Sequence, residues 1–201
     1  MKTFFANFEE LSSDLYISDY TNYKGESLVP IQGVDIASSE LEIHKEWSPL
    51  HIHNPHNILV LVANMERNPS INKKKDGKLC KQCECLCISE QSEIDDKPWF
   101  ALVELKCCYD QERNIEFNLQ GAITKLKEHH KHLRNEKRII TTGAYHYYWI
   151  ISIPTSYNPP FKSFMWTDDY LISINEKYDG AIIIGDNDII VVDGSELKGL
   201  H

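Results

Sequence analysis

Glu84, Glu104 and Lys106 are the residues whose types and spacing point most directly to chemistry. They fall within KQCECLCISEQSEIDDKPWFALVELKCC, Lys81 to Cys108, which reads as two strands around a polar connection. Pairing Glu90 with Pro98 across a seven-residue turn sets Glu84 opposite Glu104 and Gln82 opposite Lys106. On the second strand Phe100, Leu102, Glu104, Lys106 and Cys108 share a face, because side chains alternate sides along a strand. Two carboxylates and a lysine then converge at the polar end of an otherwise apolar hairpin. Burying such charges costs several kcal/mol unless they are paired or hold a metal.

The elements that must position these residues follow from periodicity. The clearest helix runs from Asn114 to Leu133, with Ile115, Leu119, Ala122, Leu126 and Leu133 recurring at three- and four-residue steps. Lys125, Lys127, Lys131 and Arg134 are assigned to its outer face, Gln120 to the border of its apolar stripe, and the HHKH run at 129–132 to solvent. Residues 3–17 are read as a short helix, and ASSELEIHKEW as a strand carrying Glu40, Glu42 and His44. Ile58 to Ala63 is an apolar run suited to a buried element, and RIITTGAYHYYWIISIP is strand-rich. DDYLISI, GAIIIG and DIIVVDG are read as strands, the last two joined in a hairpin at GDND. The class is α/β, a central mixed sheet with flanking helices.

The chain has 201 residues, 42% hydrophobic and 25% charged, as expected of one globular domain over 1–201 that buries roughly 70% of its unfolded surface. No apolar run approaches the ~20 residues needed to span a bilayer, which argues against a membrane protein. MKTFFANFEELSSD has too short an apolar core for a signal peptide, and six cysteines without one point to reduced thiols in a cytoplasm. The net charge of −9 opposes nucleic-acid binding, but it is uneven. Five lysines between Lys73 and Lys81 face one acid, Asp76. Six basic residues from Lys125 to Arg138 face only Glu128 and Glu136. A basic groove on an acidic body is therefore allowed.

A strand with an acid, a strand with Glu-x-Lys, a long amphipathic helix and a further strand resemble the restriction-endonuclease-like superfamily, nucleases with a PD-(D/E)xK signature. The matching residues are Glu84 and Val103-Glu104-Leu105-Lys106, with Glu84 for the usual aspartate and Cys83 where proline is typical. The helix with Gln120 is similar to one that follows the motif in several branches. The resemblance covers residues 79–153, with 1–78 and 154–201 as elaborations that add strands. It implies a hydrolase cutting phosphodiesters, DNA favoured over RNA. Glu84 and Glu104 would hold Mg²⁺ or Mn²⁺, Lys106 would orient or activate water, Gln120 would support it, and Glu42 or Glu10 could complete the site. Mg²⁺ suits such a set, since it prefers oxygen ligands and is commonly held by one or two carboxylates. Nucleic acid would lie along Lys73–Lys81 and the 125–138 segment. A protein partner or homo-oligomer is left open. A second Glu-x-Lys, Glu196-Leu197-Lys198, has no helix after it and is read as coincidence.

Two alternatives stand beside this: a catalytically idle scaffold on the same fold, and a zinc-binding module. The cysteines of Cys80-x2-Cys83-x-Cys85-x-Cys87 invite zinc, but Cys83, Cys85 and Cys87 along one strand face stand ~6.6–7 Å apart, too stretched for one tetrahedral ion. They are read as a buried row. His51-x-His53-x2-His56 also has ligand-like spacing and is read as a surface loop broken by Pro55.

Overall fold

The computed structural model describes residues 5–19, 34–37, 50–90, 97–106, 115–153 and 166–201. Alternation along the hairpin decides the layering. Its strands are β6 (Cys85–Ser89) and β7 (Trp99–Leu105), in the expected register, Cys85 against Val103 through Ile88 against Phe100. One face, with Leu86, Ile88, Phe100 and Leu102, packs on Leu119, Ala122, Ile123, Leu126 and Leu133 of α2 (Ile115–Asn135). The other, with Cys85, Cys87, Trp99, Ala101 and Val103, packs on a second sheet through Leu15, Ile17, Leu50, Ile52, Ile189 and Val191. The result is a helical layer, a sheet and a second sheet, with β6 and β7 of the middle layer buried on both faces.

In chain order the remaining elements are β1 (Glu9–Leu11), β2 (Leu15–Asp19), β3 (Val34–Ala37), β4 (Leu50–His53), β5 (Val60–Asn64), α1 (Pro69–Asn72), β8 (His146–Ser152), α3 (Asp168–Lys177), β9 (Ile182–Gly185), β10 (Asp188–Val191) and β11 (Leu197–Gly199). The six-stranded sheet runs β1-β5-β6-β7-β8-β9, antiparallel as far as β7 and parallel from β7 to β9. The five-stranded sheet runs β11-β10-β4-β2-β3, with β10 and β4 parallel. The fold is thus mixed α/β, with two mixed sheets and three helices among the described residues. No described helix is long and apolar enough to cross a membrane.

Several expectations are corrected. Residues 9–19 form β1 and β2 rather than a helix: Leu15 and Ile17 alternate into the core between the sheets, which the helical reading of the same apolar positions missed. DDYLISI lies in α3, where the Thr167 side chain accepts the Tyr170 N–H as a cap and Asp168 and Asp169 complement the helix N-terminus. GDND is no hairpin but the corner by which the chain leaves one sheet for the other. There the Asp186 carboxylate accepts the N–H groups of Asn187 and Asp188, and the Asn187 side chain bonds Ser152 and Ile153. Ser38 to Pro49, with Glu40, Glu42 and His44, lies outside the described residues.

Leu126 is fully buried in the helix-facing core while Phe117, on the same helix, is 76% exposed. Leu126→Ala should therefore cost about 2–5 kcal/mol in denaturant unfolding, and Phe117→Ala within about 0.5 kcal/mol.

Candidate functional site

At Glu84 the hairpin ladder changes. The Glu84 N–H donates to the Val103 carbonyl at 2.9 Å, although Val103 already partners Cys85. Two residues opposing one is a bulge, a device that re-aims side chains at strand ends. Glu84 and Glu104 nonetheless reach the same, helix-side space. Lys125 of α2 bridges them, its Nζ 2.9 Å from Glu84 Oε1 and 2.8 Å from Glu104 Oε1. Lys106 pairs with the same Glu104 oxygen from the end of β7. Two acids and two lysines thus form one electrically balanced row, Glu84–Lys125–Glu104–Lys106.

The Glu104 side chain is 0% exposed, and its Oε2 is buried without a hydrogen-bond partner. Beside the row opens a cavity of about 460 Å³ lined by Asp19, Glu84, Lys106, Asn118 and Lys125, among others. Burial, then the neighbouring Glu104 charge, pushes the Glu84 carboxyl up to about 7, against the pull of Lys125; Asp19 adds to the rise. Burial likewise raises Glu104, opposed by Lys106 and then Lys125. Burial works against the Lys125 ammonium, but the Glu104 and Glu84 carboxylates outweigh it and hold its pKa above the usual lysine range.

Of the residues expected from the sequence, Glu84, Glu104 and Lys106 come together. Gln120 is exposed, its carbonyl accepting the Thr124 hydroxyl, and Asn118 is the α2 amide that lines the cavity. The N-terminal acids that line the cavity are Asp19, from β2, and Glu66. Glu10 is exposed on β1 and Glu42 lies outside the described residues. Lys125, expected on the outer face of the helix, instead points at the acids. The signal for it was its place three residues after Ala122 and seven after Asn118, on the flank of the apolar stripe.

The rest of the basic path is largely engaged. Lys127 donates to the Tyr170 hydroxyl at 3.1 Å, Arg134 pairs with Asp179 at 3.2 Å and Lys81 with Glu128 at 3.2 Å. Nor is the histidine run of the helix solvated. His129, His130 and His132 are buried against Cys83, Asp179 and the Ile71 carbonyl. Cys83 leaves the expected row: it joins the helix-side core, while Cys85 and Cys87 face the second sheet. Cys80, Cys83, Cys85 and Cys87 are free thiols. His51 and His53 lie on β4, not in a loop, while His56 follows in a turn. The second Glu-x-Lys is an exposed pair, Lys198 Nζ 3.1 Å from Glu196. No known family model, curated protein or solved structure matches the chain.

Removing one partner of a buried ion-pair network leaves charge uncompensated, at about 3–5 kcal/mol. Lys125→Met, which keeps most of the stem, should lower unfolding stability at pH 8 by about 3 kcal/mol. The sign with pH follows from the raised carboxyls. Their protonated forms suit the folded site, so the part of stability linked to Glu84 is intact below its unfolded value and is lost as pH rises through about 7. The deficit of Lys125→Met should therefore shrink from pH 8 to pH 5, measured by urea unfolding at each pH.

Proposed function

We propose that the chain is a Mg²⁺-dependent nuclease of the PD-(D/E)xK type on a restriction-endonuclease-like core, hydrolysing phosphodiesters with DNA favoured over RNA. The observation that carries the reading is the wholly buried Glu104 carboxylate, paired with Lys106 and, through Lys125, with Glu84, three residues that line a cavity of about 460 Å³. The order β6, β7, α2, β8, with β7 and β8 parallel neighbours, is the element order that the resemblance implies and supports it further.

The donor set suits a hard cation. Glu84 and Glu104, with Asp19 at the cavity wall, offer carboxylate oxygens, and Glu104 Oε2 has no hydrogen-bond partner. Glu84 and Glu104 would hold Mg²⁺ or Mn²⁺, which would polarise the scissile phosphate and make hydroxide available near neutral pH. Lys106, 19% exposed, keeps its ammonium at the cavity, where it stabilises negative charge that develops on phosphate oxygens. Lys125 compensates both acids while no cation is present and orients them toward one point. Asn118, rather than Gln120, is the helix amide placed to meet the substrate. The segments Lys73–Lys81 and 125–138 are proposed to follow the nucleic-acid backbone through the lysines they leave exposed.

One observation favours a second reading, an idle scaffold on the same fold: the two lysines already balance the two carboxylates. A cleavage assay on single- and double-stranded DNA and RNA with Mg²⁺ or Mn²⁺ separates the two. The nuclease reading expects cutting that EDTA abolishes, cutting reduced about 100-fold or more in Lys106→Ala with binding nearly unchanged, and no cutting by Glu104→Gln. Wild-type protein that cuts no substrate with either ion would leave the scaffold.

A further inference from the structure

Away from the acidic row, the second sheet gathers another set of ligands. His51 and His53 are two apart on β4, so their side chains share a face. Their ring centroids lie 3.6 Å apart. Asp14, just before β2, places Oδ2 3.0 Å from His51 Nε2 and 3.8 Å from His53 Nδ1. We propose that Asp14, His51 and His53 form a site for a divalent transition-metal ion of the zinc type, separate from the proposed Mg²⁺ site.

Three features argue for a built site rather than a chance meeting of polar groups. First, ligands about 2.0–2.1 Å from a tetrahedral zinc stand roughly 3.3 Å from one another. The 3.0 and 3.8 Å separations bracket that spacing, and one ligand atom from each residue lies within 4.8 Å of the others. Second, the opposite ring nitrogens face one carboxylate: Asp188 Oδ1, at the start of β10, is 3.6 Å from His51 Nδ1 and 3.8 Å from His53 Nε2. A carboxylate behind a metal-binding imidazole fixes its tautomer and raises its basicity. Third, Asp14 is itself held. Its Oδ1 accepts the Asn54 N–H at 2.7 Å, and the buried Asn54 side chain is tied to the backbone of Ile58 at both ends. Oδ2 is thereby turned toward the two rings. His51 is also stacked on Tyr16, 4.2 Å between centroids.

Two imidazoles and one carboxylate favour zinc, cobalt or nickel over magnesium, which prefers oxygen alone. All three ligands are half-buried, so an ion can enter. Three protein ligands leave a fourth position for water or a small anion, the arrangement of a reactive rather than a closed structural zinc centre.

The test uses the full chain, stripped with EDTA, dialysed and titrated with ZnCl₂ by calorimetry and with CoCl₂ by absorption. The expected result is one ion per chain and visible cobalt bands with no sulfur-to-cobalt charge transfer. His53→Gln and Asp14→Asn should each weaken binding more than tenfold, and Asp188→Asn by about 10–100-fold. Glu104→Gln should bind as the wild type does. Zinc should raise the melting temperature of the wild type and not that of His53→Gln, which reads binding even if a variant is itself less stable. No binding by the wild type, a sulfur charge-transfer band, undiminished binding in both His53→Gln and Asp14→Asn, or loss in Glu104→Gln would each overturn the assignment.

Discussion

A carboxylate with no exposed surface, Glu104, is the constraint on which the rest of this structure turns. An ion leaves water at a cost of several kcal/mol, and only well-placed partners offset it. Lys106 comes from the same strand and Lys125 from the packed helix, so the acid, the end of β7 and the seating of α2 depend on one another. A one-residue slip of the hairpin would turn Glu104 into the apolar layer between the sheets, among Trp99, Val103 and Leu105, where no lysine stands among the described residues. Electrostatics and hydrophobic alternation therefore select the same register.

The same interdependence explains what could be read from the sequence. The hairpin was legible because period-2 alternation and a polar turn leave few alternatives, and the helix because five apolar residues recur at helical steps. Lys125 was not, because a lysine beside an apolar stripe reads as solvated until a buried acid is known to stand opposite. His129, His130 and His132 failed likewise. Each is buried because a partner from a distant part of the chain, Cys83, Asp179 or the Ile71 carbonyl, satisfies it. The second sheet was the least legible. The parallel pairing of β4 with β10 joins segments far apart in sequence, and the Asp186–Asn187 corner looks locally like a hairpin turn. DDYLISI shows the opposite failure, in which β-branched residues suggested a strand and a capping threonine with two following aspartates made a helix.

The acidic total takes on a different meaning once the acids are placed. Asp19, Glu66 and Glu84 line one cavity, with Glu104 buried against its two lysines, while Asp14 and Asp188 flank the paired histidines of the second sheet. The first set is oxygen-only and compensated by lysines. The second mixes oxygen with nitrogen. Ligand chemistry thus separates the two, the former suited to a hard cation, the latter to a borderline one. Basic residues, in contrast, largely hold the chain together: Lys127, Lys131 and Arg134 brace α2 against Tyr170, Tyr178 and Asp179.

Whether the buried acids accept a cation is most directly tested by a crystal soaked in Mn²⁺ and read by anomalous scattering. The expected result is a peak bonded to Glu104 Oε2 and to a Glu84 oxygen, with the Lys125 ammonium moved off the acid pair. Crystals that take up Mn²⁺ elsewhere, yet show no peak there and leave Lys125 between the two carboxylates, would contradict it.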